Sequence, residues 1–134
     1  MLREDVDRWL KDYIAAWKSY DRGQIEALFA EDISYRYHPE DDAIEGRAAV
    51  VESWLGEGDH ADASTRDEPG TYDAAYRAVA VDGQVAVATG ISSYRESPGG
   101  PVVRVYDNCF VMQFDSEGRC REFTEWFIQR KKSP

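Results

Sequence analysis

Residues 71–130 read TYDAAYRAVAVDGQVAVATGISSYRESPGGPVVRVYDNCFVMQFDSEGRCREFTEWFIQR. Three turn signals divide the stretch: Asp82-Gly83, then Ser97-Pro98-Gly99-Gly100-Pro101, then Asp115-Ser116-Glu117-Gly118. Glycine in each gives the backbone freedom that hairpins need, and the segments between are rich in the β-branched and aromatic residues that suit a pleated surface. Four strands are predicted near 71–81, 84–96, 102–114 and 119–130, joined as an antiparallel meander.

Upstream the pattern turns helical. Val6, Trp9, Leu10, Tyr13, Ala16, Trp17 and Tyr20 recur at three- and four-residue steps, one apolar stripe on a first helix. Asp21 and Gln24 have the spacing of a capping box, and Ile25, Leu28 and Phe29 mark a short second helix closed by Asp32. Ile33 to His38 alternates as a strand stopped by Pro39. Gly46 then precedes a third helix carrying Val50, Val51, Trp54 and Leu55, which Gly56 and Gly58 end. Residues 57–70 are polar and aperiodic, a loop with room for a helical turn. Helices first and a meander afterwards describe one α+β domain over 1–134, its sheet curled around three N-terminal helices.

Composition narrows the partners. In 134 residues, 26 acids against 16 bases leave a net charge of -10, which repels phosphate backbones and anionic membranes, so neither nucleic acid nor membrane is expected. Met1-Leu2-Arg3-Glu4-Asp5 lacks the basic-then-apolar pattern of a secretory signal, and no apolar run approaches the ~20 residues of a membrane span. A cytoplasmic protein is expected. Cys109 and Cys120 stand inside strand-like segments and read as reduced core residues. His38 and His60, the only histidines, lack the spacing of metal ligands, and no glycine loop opens a helix to cradle phosphate. Neither a metal nor another cofactor is expected.

Tyr13-Ile14-Ala15-Ala16, Asp21, Ile25 and Ala27-Leu28-Phe29-Ala30-Glu31-Asp32 resemble the opening of ketosteroid isomerases and of the wider nuclear transport factor two-like and SnoaL-like proteins. The likeness continues through the strand ending at Pro39, the Gly46 helix with Trp54, and the Phe114 to Arg119 turn. It implies a cone: a curved antiparallel sheet wrapped around the helices, with a cavity between. In the isomerases a tyrosine and a protonated aspartate hold an oxyanion while a second aspartate moves the proton. Tyr13 matches that tyrosine. The late-strand acid falls on Phe110, the base position on Tyr37 or His38, and a further tyrosine on Trp54. With one of four roles kept, the resemblance does not imply ordinary ketosteroid isomerase activity.

Three residues are catalytic candidates. His38 is a side chain suited to proton transfer near neutrality, or a rim histidine. Tyr13 lies on the apolar stripe, so its hydroxyl needs an internal partner, as ligand donor or as core cap. Glu125 stands between Phe123 and Phe127, where loss of hydration would raise its pKa unless Arg104 or Arg36 pairs with it. Trp17, Tyr35, Tyr37, Trp54, Asn108, Phe110 and Phe127 are candidate ligand contacts, with aromatic core filling as the alternative. The small-residue stripe Ala86, Ala88, Gly90, Ser92 either enlarges the cavity or allows close packing. Large apolar residues on both parities of the last strand point to a homodimer through the outer sheet face. The expectation is therefore a small, largely apolar or partly polar ligand in the cone, with cofactor-free acid/base chemistry as its catalytic form. The alternative is a non-catalytic dimeric or regulatory domain whose cavity is filled by its own side chains.

Overall fold

The computed structural model describes residues 1–58 and 66–131. His60 lies outside them. The elements are α1 (Arg3–Ser19), α2 (Arg22–Leu28), β1 (Phe29–Arg36), β2 (Ile44–Glu45), α3 (Arg47–Leu55), β3 (Tyr72–Asp82), β4 (Val85–Arg95), β5 (Val102–Phe114) and β6 (Cys120–Gln129). One curved, unclosed sheet has the order β2-β1-β6-β5-β4-β3. The strands β3 to β6 form the antiparallel meander that the turn signals predict, each bound within a residue or two of its expected place.

One pairing departs from the antiparallel pattern: β1 runs parallel to β6, with Tyr35 opposite Phe123. The two-residue β2 then pairs antiparallel on the outside of β1. The second helix also ends earlier than its apolar spacing suggests, because Phe29 begins β1. An irregular register between Phe29 and Ser34 lets Ala30 turn inward and Glu31 outward, which breaks the strand alternation and imitates a helical step.

On α1 the stripe is buried at Val6, Trp9, Leu10, Tyr13 and Ala16, whereas Trp17 and Tyr20 are half-buried. Long-range hydrogen bonds along its length help to fix this helix. Trp9 Nε1 donates to the Leu28 carbonyl at 3.0 Å, and Asp7 Oδ1 accepts from the Ala78 amide at 2.7 Å on the edge strand β3. Asp21 caps α2 through the Gln24 amide at 2.9 Å, but the reciprocal half of the expected box is made by Ser19, whose Oγ accepts from the Asp21 amide. Gly56, in the left-handed conformation at φ 68, ends α3.

The inner face of the meander carries Ala86 and Ala88 fully buried beneath the helices. The small-residue stripe is thus mostly packed and leaves no broad cavity. Gly90 shows why: a Cβ there would run into the Ala75 carbonyl and lie 2.7 Å from Tyr76 Cδ1, so glycine lets the Tyr76 ring lean across β4 toward Phe110, at a centroid distance of 4.7 Å. Among the described residues no helix is long and apolar enough to cross a membrane, and both cysteines are free, Cys120 buried and Cys109 half-exposed.

Candidate functional site

Strand parity brings one set of side chains under the helices. Along β5, Arg104, Tyr106, Asn108 and Phe110 share the inner face; their neighbours across the ladders are Tyr94, Ser92, Gly90 and Ala88 on β4 and, for Asn108 and Phe110, Phe127 and Glu125 on β6. Burial falls along this row, from Phe110 at 1% exposure and Asn108 at 6% to a half-buried Tyr106 and an exposed Arg104. Where α1 and α3 close over the buried end, a pocket of about 310 Å3 remains, walled by Tyr13, Trp17, Tyr35, Trp54, Tyr76 and Glu125 among others. That volume lies at the lower end of the range of small-molecule sites. A second, larger depression near α1, α2 and the β5–β6 turn mixes charged residues such as Asp5, Arg8, Asp12 and Glu117 with apolar ones such as Trp9 and Leu28.

The polar centre of the pocket is a short relay. Ser92 Oγ donates to Asn108 Oδ1 at 3.0 Å, and Asn108 Nδ2 donates to Glu125 Oε2 at 2.7 Å. Ser92 and Asn108 are buried, so each polar atom spent here is withheld from water. No cation pairs with Glu125 among the described residues. Arg36 donates to the Asp41 carbonyl, while the Arg104 guanidinium lies 4.7 Å over the Tyr94 ring, so neither is the expected partner. Burial pushes the Glu125 carboxyl up to about 7, against the opposing pull of the Asn108 hydrogen bond. Four tyrosines surround it. Burial raises Tyr13, Tyr35, Tyr76 and Tyr94 above the ordinary phenol range, and the charge of Glu125 adds to each.

Tyr13 stands at the meeting of α1, α3 and the sheet. Its ring stacks on Phe123 at 5.8 Å and meets Trp54 edge-on at 5.1 Å. Its hydroxyl is turned toward Tyr35, raising its own pKa and lowering that of Tyr35. The approach is loose, since Tyr35 Oη and Trp54 Nε1 are both buried without a hydrogen bond of good geometry. Tyr37 lines the wall and shares a 2.9 Å hydrogen bond with Ser53 Oγ.

Of the sequence candidates, Tyr13, Glu125, Trp17, Tyr35, Tyr37, Trp54, Asn108 and Phe127 line the pocket. Two do not. Phe110 lies one layer below it, its ring packed among Tyr13, Tyr76 and Phe123, because the strand runs deeper than the cavity. His38 falls beyond the end of β1, where its ring rests 4.8 Å from Phe127, outside the pocket wall. Sequence reading gave no pocket role to Tyr76, Tyr94, Arg104, Tyr106, Tyr20 or Asp67, which also line it. Carrying the inward parity of Asn108 back along β5 would have found Tyr106 and Arg104. Asp67, reached from an aperiodic loop and held by Trp17 Nε1 at 3.0 Å, offered no such signal.

A family profile described as SnoaL-like domain matches residues 10–123. Among solved structures, a putative ketosteroid isomerase from Kribbella flavida DSM 17836 superposes with a TM-score of 0.66 at 16% identity, covering 98% of this chain and 84% of that one. An LEH-like epoxide hydrolase of M. tuberculosis gives 0.62 at 16% identity, covering 94% and 84%. An NTF2-like protein of Burkholderia xenovorans LB400 gives 0.62 at 18% identity, covering 96% and 92%. At such identities the likeness is one of fold. No curated protein sequence gave a significant match.

Proposed function

We propose, since this chain belongs to the SnoaL-like domain family of the nuclear transport factor two-like superfamily, that its cone binds a small, largely apolar molecule and that Glu125 exchanges a proton with it. One observation carries the reading: a carboxyl with no cation partner among the described residues, held by Asn108 at 2.7 Å, inside an aromatic pocket. A carboxyl poised near neutrality can give or take a proton without a metal or another cofactor. Tyr13, whose hydroxyl is turned toward Tyr35, is the candidate donor to an oxygen of the ligand. The names of the isomerase and hydrolase neighbours support proton-transfer chemistry of this general kind. The alternative, a filled regulatory domain, is favoured less by a pocket of about 310 Å3 with convergent polar groups.

NMR titration with bicyclic aromatic ketones and phenols tests the reading. Signals of Ser92, Asn108 and Glu125 and the indoles of Trp17 and Trp54 should shift together. If none of these compounds moves them, the pocket is not a site for such ligands.

We further propose that the protein is cytoplasmic and acts as a homodimer. Trp126, Ile128, Val111 and Ile91 are 43%, 74%, 37% and 41% exposed on the outer sheet face, apolar surface that a second subunit would cover. Light scattering at micromolar concentration is expected to give twice the chain mass, and Trp126→Lys to return it to the monomer value. A monomer in the parent protein would remove the dimer from the proposal.

A further inference from the structure

We infer that the occupant of this pocket is an aromatic or apolar carboxylate whose acid group is received at the mouth by Arg104, an assignment that rests on reading the cone as a ligand site. Among the described residues lining the pocket, Arg104 is the only cation. Its guanidinium lies 4.7 Å over Tyr94 and 5.9 Å from the centroid of Tyr106, and it donates to the Tyr106 hydroxyl at 3.2 Å. Two tyrosines, one of them also through its hydroxyl, thus hold the fork in place, yet it forms no ion pair among the described residues. The carboxylate nearest in role, Asp67, is taken by Trp17 Nε1 at 3.0 Å and feels Arg104 only across space.

A positioned guanidinium with unused donors is matched by a planar carboxylate, which accepts two parallel hydrogen bonds from it. Arg104 and Asn108 share a face of β5 four residues apart, a rise of about 13 Å along the strand. A ligand held by its acid group at the mouth therefore projects its body inward toward Asn108 and Glu125. Glu125 does not oppose this at pH 6, because burial pushes its carboxyl up to about 7.

The test compares three probes of one shape, 2-naphthoate, 2-naphthamide and 2-naphthylmethylammonium, by calorimetry and NMR at pH 6. The acid should bind the parent protein about tenfold or more tightly than the amide. Arg104→Gln should erase that margin and leave the amide within about twofold, while Arg104→Lys should keep part of it. Equal unfolding midpoints would show that these exposed substitutions leave the fold intact. Equal binding of acid and amide, or an unchanged margin in Arg104→Gln, overturns the role of Arg104 and leaves the pocket reading standing. Preference for the ammonium overturns it in favour of Asp67 and Glu125 as the receiving groups. If none of the three binds, the ligand-site reading fails with it.

Discussion

Trp54→Ala is expected to lower the unfolding free energy by about 3 to 5 kcal/mol. The indole is 5% exposed and meets three elements at once: it belongs to α3, faces Tyr13 of α1 edge-on at 5.1 Å and lies 5.9 Å from Phe29 of β1. Its removal joins an empty volume to the pocket and unpins α3 from α1. Trp54→Phe separates packing from polarity. Phenylalanine keeps most of the ring and deletes a buried N–H that lacks a good acceptor, so its cost should stay below about 1.5 kcal/mol. Urea unfolding at constant m reads both values. A Trp54→Ala change under about 1 kcal/mol would mean that the indole does not hold the helix.

Glu125→Gln is expected to stabilise the protein at pH 8 and to leave it nearly unchanged at pH 4.5. In the folded chain the carboxyl titrates at about 7, against an ordinary value of 4.5. Between those values the folded state holds a proton that the unfolded state has released, so stability falls as pH rises through the window. The full difference is about 3 kcal/mol, reached above the folded pKa. Glutamine retains an oxygen for Asn108 Nδ2 but has no proton to lose. Subtracting the two unfolding curves cancels every other titrating group, and a flat difference from pH 4.5 to 8 would show that Glu125 is not desolvated. If Glu125 moves a proton in catalysis, the same substitution should reduce turnover by about 10²- to 10⁴-fold.

The meander was legible because each of its turns announces itself within five residues, and a hairpin is a local event. The pairing of β1 with β6 was not, since no local signal joins strands that lie at opposite ends of the sequence. β2 is too short to show any period, and the irregularity near Ala30 hid a strand start inside an apparent helix. In the site, the family resemblance pointed Asn108 inward and parity pointed Glu125 inward, but neither says anything about depth. Phe110 and Asn108 therefore looked equivalent, although one is core and the other wall. Arg104 was read only as a possible partner for Glu125, because charge attracts charge on paper; in the folded chain, aromatic faces hold it at the mouth.

The parallel pairing of β1 with β6 also governs the order of assembly. Phe29 sits opposite Cys120, 91 residues further along, and such a contact carries the entropy cost of closing a long loop and needs the last strand to have been made. During synthesis, at about 5–20 residues per second, α1, β1 and α3 leave the ribosome well before their sheet exists. For those seconds the apolar stripe of Val6, Leu10 and Tyr13 has no sheet to cover it. The last strand is thus the closing stitch of the molecule, and the nascent chain is at its most adhesive just before that strand emerges.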